Sequence, residues 1–520
     1  MASQMISYQE HIEEVNTLKL QLAQVEAELN WYREQFKLLQ RQKYSAKSEK
    51  VPKEQLSLFN EAEFESDESV EEPTYEEITY QRKKGKRRSQ EELIKNLPVE
   101  VIEYTLEEEE RLCPKGHGPM RVIGKEVTRE IAVIPAKTYV IEHVQYKYAC
   151  EPCQVHGIDT PVKAAPKPKR AIPGSIASSS LIAHVIDQKY TMGMPLYRQE
   201  QQFQRQGVRL SRQNLANWVI KASEWFDVIY KRLHEYLLKE EILHADETTV
   251  QVLQEVGKKA TSKSFMWLYR TGKYTAHPIV LFDYQPSRSG QHAEAFLKDF
   301  KGYLHTDGYS GYNHLDVIRV GCWAHARRKF KECLEALGKD KKVKPLRTLA
   351  NAGFNYCQAL YRIENTIRDL SIKERYIYRQ EHSLPIVEAF STWLQTNKDR
   401  VLPRSSLGKA IEYSMNQMKY LKNYLLDGRL EMDNNRAERS IKPFVMGRKG
   451  WLFSHTPKGA RASAMIYSIV ETVKENHLKP YEYIKYLLDT LPQMDITDQE
   501  AVDQLLPWSK SIPEECRMKK

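Results

Sequence analysis

Long apolar runs are missing from this sequence of 520 residues. No stretch of about eighteen apolar residues is available to span a membrane. The N-terminal MASQMISYQEHIEE is polar and acidic, whereas a signal peptide needs a basic start and an apolar stretch. Cysteine is also scarce, with 7 scattered residues, and an odd, scattered set does not suggest a disulfide framework. We therefore expect no membrane partner, a cytoplasmic location, and cysteines that are either reduced or bound to metal.

The charge balance is basic, with 79 Lys and Arg against 69 Asp and Glu and a formal net charge of +10. Such a balance favours a polyanionic partner, and nucleic acid is the leading candidate. A chain of 520 residues also exceeds one ordinary hydrophobic core, so several domains are expected.

The first 45 residues contain apolar or aromatic residues at alternating steps of three and four, which is typical of a coiled-coil seam. We predict a coiled coil over residues 1–45 and a homo-oligomer, specifically a dimer; a single amphipathic helix packed on the body is the alternative. Residues 46–98 lose this periodicity and pass from an acidic stretch into the basic run RKKGKRR, so they are predicted to be a disordered charged linker. That run either contacts phosphates or is solvated. The seam residues are Val15, Leu18, Leu22, Val25, Leu29, Tyr32, Phe36 and Leu39.

A small cysteine module follows at residues 99–165. Cys150 and Cys153 form a closely spaced pair of the kind that structural zinc requires, and Cys113 precedes them. His117 would complete a Cys₃His site for Zn²⁺. The alternative is a degenerate module without metal, in which His117 or His156 is merely exposed.

Residues 166–235 have a helix, turn, helix pattern with a break at Gly207. This pattern predicts a DNA-binding region in which Ser211 caps the second helix. Plain helix packing, with Leu215 and Trp218 in the core, is the alternative. The side chains able to meet base edges or phosphates are Arg212, Gln213, Asn214 and Asn217, with further phosphate contacts from Arg198, Arg205 and Arg209.

Three acidic residues carry the strongest chemical signal. Asp246 in LHADETTV and Asp307 in LHTDGYSGY each follow an apolar residue and a histidine at the end of a predicted strand. Glu438 lies in DNNRAERSIKP, which predicts a short helix with Asp433 as its N-cap and Pro443 near its end. Mg²⁺ prefers oxygen ligands, and two-metal phosphoryl chemistry needs a few carboxylates to hold its ions, so these acids are candidate ligands of Mg²⁺ or Mn²⁺. An isolated acid more often caps a helix or faces water.

The order of elements around these acids supports the metal-site interpretation. Residues 241–252, 264–270 and 278–284 are predicted to be successive strands. A helix in SGQHAEAFLKDF, a fourth strand in GYLHTDGYSGY and a fifth strand leading into the basic helix of HARRKF follow. This is a ribonuclease H-like order, with Asp246 on the first strand and Asp307 on the fourth. The predicted fold class is therefore multidomain α/β with a ribonuclease H-like mixed sheet.

The chain resembles the insertion sequence 66 family of transposases, whose members carry an Asp-Asp-Glu site on a ribonuclease H-like core. The resemblance rests on IPGSIASSSLIAHVIDQKYTMGMPLYRQEQQF, HADET, DYQPSRSGQHAEAFLKDFKGYLHTDGYSGY, GCWAHARRKF and DNNRAERSIKPFVMGRKGWLFS. It implies that Asp246, Asp307 and Glu438 form the catalytic triad. Glu247 is then structural, and Asp433 is the alternative third acid. The family also leads one to expect a second cysteine near Cys113, where this chain has Lys115, Gly116 and His117.

The resemblance also divides the rest of the chain. It implies a first core segment at 236–330, a helical insertion at 331–430, a catalytic helix with the end of the core at 431–485, and a C-terminal tail at 486–520. The composition of the insertion, rich in helix formers, agrees with this.

We therefore expect a DNA transposase that binds element ends and catalyses metal-dependent DNA cleavage and strand transfer. Its partners would be double-stranded DNA, as element ends and target, and other proteins encoded by the element, in a bacterial, nucleoid-associated setting. A metal-dependent DNA nuclease and a catalytically inactive DNA-binding regulator are the alternatives. The basic residues nearest the acids in sequence either hold the scissile backbone or are solvated: Arg327, Arg328, Arg448 and Lys449.

Overall fold

The computed structural model describes residues 99, 101, 137–149, 162–336 and 348–518. The chain divides into two compact units, one of residues 1–44 and 144–518 and the other of residues 45–143 with the last two residues. In the second unit, residues 137–143 are exposed and have no regular secondary structure. The predicted coiled coil, the predicted disordered linker and the four predicted zinc ligands lie outside the described residues.

A five-stranded mixed sheet lies at the centre of the first unit. A separate pair of short strands, Lys147–Ala149 (β1) and Val162–Ala164 (β2), precedes it. The sheet has the order β5-β4-β3-β6-β7; its β3–β5 strands are antiparallel, and β6 and β7 run parallel to β3. The order of strands along the chain is the one predicted. The strands are β3 (Ile242–Gln251), β4 (Lys263–Thr271), β5 (Val280–Gln285), β6 (Tyr303–His305) and β7 (Ile318–Val320).

Between β2 and the five-stranded sheet, the chain forms the helices α1 (Ser179–Tyr190), α2 (Leu196–Arg205) and α3 (Arg212–Leu237). Ser211 caps α3 as predicted, since its hydroxyl accepts a hydrogen bond from the Asn214 amide at 3.2 Å. Gly207 has a φ of +82° in the turn between α2 and α3, a conformation that glycine adopts without strain. Leu215 and Trp218 are buried, as the packing interpretation expected.

Edge strand β5 is covered by helices on its open side. Helix α4 (Gly290–Phe296) follows β5 in the sequence. Helix α11 (Pro457–Glu475), much later in the sequence, packs against β5. The hydroxyls of Ser468 and Thr472 on α11 accept hydrogen bonds from the amides of Phe282 at 2.7 Å and Val280 at 3.0 Å. An edge strand with unpaired amides is prone to pair with other chains, and these side chains satisfy that edge from within the fold.

Between β7 and the last part of the sheet domain, the described chain consists mainly of helices joined by short turns. The helices are α5 (Trp323–Ala336), α6 (Leu349–Thr366), α7 (Ile372–Tyr378), α8 (Leu384–Asn397) and α9 (Ser406–Leu421). Helices α5, α6, α8 and α9 share an apolar cluster that includes Phe330 and Phe390, and Tyr424 after α9 belongs to the same cluster. A single π-helical turn, Arg379–Ser383, separates α7 from α8.

The helix that contains Glu438 differs from its prediction. α10 (Asn435–Trp451) continues through Pro443 for eight further residues, because Ile441 and Phe444 are buried against the sheet and this packing offsets the roughly 3 kcal/mol that an interior proline costs. Asp433 is not the N-cap; Asn434 holds that position. The Asp433 carboxylate instead accepts hydrogen bonds from Asn435 and from the Tyr361 hydroxyl.

The described residues 486–518, which were predicted to belong to a C-terminal tail, instead pack against the main core. α12 (Pro480–Thr490) crosses the predicted boundary at residue 486, and α13 (Gln499–Asp503) follows it. Leu505, Leu506 and Ile512 are buried in the main core. These apolar side chains are spaced too irregularly to give a helical pattern in the sequence, yet the residues up to 518 close over the same core.

Asp283 on β5 makes the stability of this fold depend on pH. Burial raises the pKa of Asp283 from 3.8 to about 6, so the folded state binds its proton more tightly than the unfolded chain does. The fold therefore loses stability as the pH rises from about 4 to 6, and the cost persists above 6. We expect Asp283→Asn to stabilise the protein by about 1–3 kcal/mol at pH 8 and to have little effect near pH 4.

Thermal unfolding of Asp283→Asn at both pH values measures this effect. Asp369→Asn, a change at an exposed carboxylate, is the matched control. An equal gain at both pH values, or an equal gain in the control, would show that Asp283 is not ionised at a cost in the folded state.

Candidate active site

The two aspartates lie at equivalent places in neighbouring strands. In the parallel pairing of β3 with β6, Leu243 faces Leu304 and His244 faces His305. Asp246 and Asp307 each come two residues later, so both lie just beyond the point where this pairing ends. Asp246 is the fifth residue of β3 rather than its last, because β3 continues to Gln251 in its pairing with β4. The prediction that Asp246 lies at the end of its strand is therefore wrong. Asp246 instead lies just past the end of the parallel pairing with β6, as Asp307 does.

The two histidines before these aspartates stack on each other inside the protein. The ring centroids of His244 and His305 are 4.1 Å apart with an interplanar angle of 8°, and both rings are fully buried. His244 Nδ1 lies 3.0 Å from Asn434 Oδ1, and His244 Nε2 lies 3.1 Å from Glu431 Oε2. These contacts join the end of β3 to the segment that leads into α10.

Asn434 fixes the start of α10 beside Asp246. Its side-chain amide donates to the Ala245 carbonyl at 2.8 Å, and its backbone amide donates to Cys322 Sγ at 3.2 Å. Because Glu438 lies in the first turn of α10, these bonds hold its helix turn against β3 and against the start of α5. Two strands and a helix therefore meet at one place, as the sequence predicted.

The carboxylates interact electrostatically. Burial, and then the charge of Glu247, raise the pKa of Asp246 well above its ordinary value. The carboxylates of Asp307 and Glu438 act on this pKa in the same direction, which places both near Asp246. The three predicted acids therefore lie near enough to one another to interact electrostatically.

The donor set fits a hard divalent cation. In the part of the chain that the structure describes, Asp246 and Asp307 form no ion pair; they accept backbone hydrogen bonds from Glu247 at 2.9 Å and from Tyr309 at 2.8 Å. Among the same residues, Glu438 Oε1 is buried without a hydrogen-bond donor. A buried carboxylate is costly unless its charge is compensated, and a bound cation is one way to compensate it. Oxygen atoms are the ligands that Mg²⁺ and Mn²⁺ accept.

Glu247, on the other face of β3, has the structural contacts expected of it. Its side chain accepts hydrogen bonds from Arg288 Nε at 2.9 Å and from the Tyr312 hydroxyl at 2.6 Å. Arg288 also stacks over the Tyr309 ring at 3.9 Å, two residues after Asp307. Arg288 therefore supplies positive charge near the acids, which the sequence interpretation missed.

The predicted DNA-contacting residues fall into two groups. Arg212, Gln213, Asn214 and Asn217 are all exposed at the start of α3, and Arg328 and Lys449 are exposed as well. Arg327 instead packs on α6, where its Nε donates to Gln358 at 2.9 Å. Arg448 reaches β3, where its Nη1 contacts Thr249 Oγ1 at 3.2 Å.

His325, at the third position of α5, also faces the site. Its Nε2 is 3.8 Å from Glu438 Oε1, and Arg328 Nη2 is 3.5 Å from Glu438 Oε2. Cys322, His325 and Glu438 offer ligand atoms that all lie within 4.8 Å of one another. The signal in the sequence was the spacing of Cys322 and His325 directly after a predicted strand.

Within the described residues, no helix is both long enough and apolar enough to cross a membrane.

Comparison with protein families gives matches along most of the chain. The model described as "Transposase IS66 family" matches residues 174–462, and the "IS66 C-terminal element" matches residues 468–508. The "zinc-finger binding domain of transposase IS66" matches residues 110–154, a range that contains all four predicted zinc ligands. A model described as "Transposase C of IS166 homeodomain" matches residues 31–102, across the end of the predicted coiled coil and the charged linker.

Similar proteins are known from Sinorhizobium fredii (strain NBRC 101917 / NGR234). The uncharacterized protein y4jD is 31% identical over 432 residues, which cover 80% of this chain and 81% of that protein. The uncharacterized protein y4hP is 28% identical over 409 residues, which cover 76% of this chain and 72% of that protein.

Proposed function

Because the chain belongs to the IS66 family of transposases, we propose that it binds the ends of an insertion sequence and catalyses metal-dependent DNA cleavage and strand transfer. The observation that carries this proposal is one of position: Asp246 and Asp307 each lie two residues beyond the end of the β3–β6 pairing, and Glu438 lies in the first turn of α10. Asn434 supports the arrangement, since it joins the helix of Glu438 to β3.

The core is proposed to be ribonuclease H-like. The sheet order β5-β4-β3-β6-β7 supports this, with antiparallel β3–β5 strands and parallel β6 and β7. In such a core the first catalytic acid belongs to the first strand and the second follows the fourth. Asp246 and Asp307 occupy these places.

The three acids would hold Mg²⁺ or Mn²⁺. Such ions, when bound, activate the attacking oxygen and stabilise the leaving oxygen in phosphoryl transfer. The carboxylates themselves remain unmodified, so no covalent protein intermediate is needed. Cleavage is hydrolysis of a phosphodiester at the element end. In joining, the freed 3′-hydroxyl attacks a phosphodiester of the target DNA, and the P–O bond that breaks releases a 3′-hydroxyl of the target strand.

The basic and polar residues would position DNA. Arg328 is exposed beside Glu438, so its guanidinium is placed to meet a phosphate near the acids. Arg212, Gln213, Asn214 and Asn217 lie at the exposed start of α3, where a helix N-terminus favours phosphate oxygens. The predicted N-terminal coiled coil would pair two copies, and further proteins encoded by the element would be partners.

The proposal is tested with labelled double-stranded DNA taken from the sequence that flanks the gene. In Mg²⁺ or Mn²⁺, the purified protein is expected to produce cleaved ends and joined products, and EDTA is expected to prevent both. Cleavage without joining would identify a metal-dependent nuclease. Binding with neither product would identify a DNA-binding regulator.

The cysteine module is proposed to hold structural zinc through Cys113, His117, Cys150 and Cys153. We expect elemental analysis of the purified protein to find about one equivalent of zinc per chain. Cys153→Ser should lose this zinc because it removes one of four ligands. Cys357→Ser, at a buried cysteine of α6 outside the module, should keep it. Absence of zinc from the unmodified protein would refute the zinc assignment.

A further inference from the structure

His325 lies beside Glu438 without bonding to it. The distance of 3.8 Å between His325 Nε2 and Glu438 Oε1 exceeds that of a hydrogen bond. Within the described residues, Glu438 Oε1 and His325 Nδ1 are both buried and lack hydrogen-bond partners. The His325 side chain keeps 27% of its surface exposed, so the ring can be reached from outside. Glu438 Oε1, which lacks a hydrogen-bond donor among the described residues, therefore faces His325 Nε2 across 3.8 Å at the edge of the site.

The separation suits two ligands of one ion. Metal bonds to imidazole nitrogen and carboxylate oxygen are about 2.0–2.2 Å long, so two adjacent ligand atoms lie roughly 3–4 Å apart. A direct His–Glu hydrogen bond would bring these atoms about 1 Å closer together.

The backbones on both sides are fixed in advance. Cys322 Sγ accepts hydrogen bonds from the Asn434 amide at 3.2 Å and from the His325 amide. Trp323, in the same helix turn, is buried, and its Nε1 donates to the Leu421 carbonyl at 2.9 Å. The turn that carries His325 and the turn that carries Glu438 are thus joined through Cys322 and Asn434. A pair of ligands held in this way loses little entropy when an ion binds.

We propose that His325 is a fourth protein ligand of the divalent cation held at Glu438. With a nitrogen ligand beside its oxygen ligands, this part of the site favours Mn²⁺ over Mg²⁺. This inference rests on the metal site of the proposed function. Imidazole nitrogen binds first-row transition metals well, whereas Mg²⁺ selects oxygen ligands. His325 therefore determines which ion the site selects, and the three acids provide most of the binding to either ion.

A substitution of Arg328 distinguishes the effect of nearby charge on cation affinity from the effect of a metal ligand. Its guanidinium lies 3.5 Å from Glu438 Oε2 and competes with any cation for this carboxylate. Arg328→Gln should therefore strengthen binding of Mn²⁺ and Mg²⁺ alike. His325→Ala should weaken binding of Mn²⁺ alone. His314→Ala, at an exposed histidine, is the matched control and should change neither.

The test is Mn²⁺ binding to the full chain, followed by the electron paramagnetic resonance signal of free Mn²⁺, with Mg²⁺ affinity measured by competition. We expect His325→Ala to lower Mn²⁺ affinity about tenfold or more, the range seen when ligand shells are disturbed, and to change Mg²⁺ affinity about twofold or less. Electron spin echo modulation should detect imidazole nitrogen coupled to Mn²⁺ in the unmodified protein and lose it in the variant. His325→Gln serves if the alanine variant does not fold.

Two outcomes would overturn the inference: unchanged Mn²⁺ affinity in a folded His325 variant, or no nitrogen coupling in the unmodified protein. The second outcome needs no variant. Asp307→Asn distinguishes failure of the inference from failure of the proposed function. If Asp307→Asn loses Mn²⁺ binding and His325→Ala does not, only the role of His325 is wrong. If neither variant loses it, the metal site itself is wrong.

Discussion

Asp307→Asn is expected to abolish DNA cleavage and strand transfer while DNA binding persists. The Asp307 carboxylate makes one backbone contact, in which its Oδ1 accepts from the Tyr309 amide at 2.8 Å. An asparagine oxygen can accept the same bond, so the turn after β6 is preserved and only the negative charge is lost. Loss of a charged metal ligand removes several kcal/mol of transition-state stabilisation, which corresponds to at least about a thousandfold in rate.

Joined products from labelled element ends measure this loss, and a mobility-shift assay in the same buffer measures binding. Asp316→Asn is the matched control, because Asp316 lies on the nearby turn before β7, is exposed and pairs with Lys301. Joining by Asp307→Asn at the rate of the unmodified protein would remove Asp307 from the triad. An equal loss in the control would point to general damage to this edge of the sheet.

The central strands could be predicted because their signals are local. β3, β4 and β5 are rich in β-branched and aromatic residues, and the predicted ranges differ from the observed strands by no more than two residues at either end. The repeated His-x-Asp pattern also corresponds to equivalent positions in the sheet. The register pairs His244 with His305, so both aspartates lie at the same end of the β3–β6 pairing. Both signals depend on residues that are adjacent in the sequence.

The start of α10 shows why other details could not be predicted. Asp433, Asn434 and Asn435 are three successive residues of types that often cap helices or form turns. The choice among them follows from a hydrogen bond between Asn434 and Ala245, which are 189 residues apart. Nothing in the local sequence reports such a contact.

Long-range packing explains the other differences. Pro443 is a common end to a helix, but the burial of Ile441 and Phe444 lets α10 continue past it. The sequence did not predict a role for His325, because its neighbour Glu438 is more than a hundred residues away and belongs to another helix. Residues that act by meeting distant parts of the chain are therefore the ones that the sequence pattern alone leaves out.

Arg379 joins the helical segment to the site, and its loss is expected to destabilise the protein strongly. Its side chain is fully buried in the π-helical turn between α7 and α8. The guanidinium pairs with Glu364, with nitrogen to oxygen distances of 2.8 and 2.7 Å. It also donates to the carbonyls of Tyr424, Asp427 and Leu430 at 2.9–3.0 Å.

Arg379→Met should lower the free energy of unfolding by about 3–5 kcal/mol, because it leaves the mostly buried Glu364 with only a 3.6 Å contact to Arg375 and leaves three carbonyls without this donor. The affected carbonyls precede Glu431 and Asn434, which hold α10 against β3, so activity should fall with stability. Urea unfolding measures the first effect, with Arg362→Met at an exposed position of α6 as control. Adding Glu364→Leu should restore part of the loss, since the carboxylate that lost Arg379 is then removed; the loss is not fully restored, because Arg375 lies 3.6 Å from the same carboxylate and loses this contact. A double variant as unstable as the sum of the two single changes would show that the ion pair contributes nothing, and that the carbonyl contacts alone hold this segment.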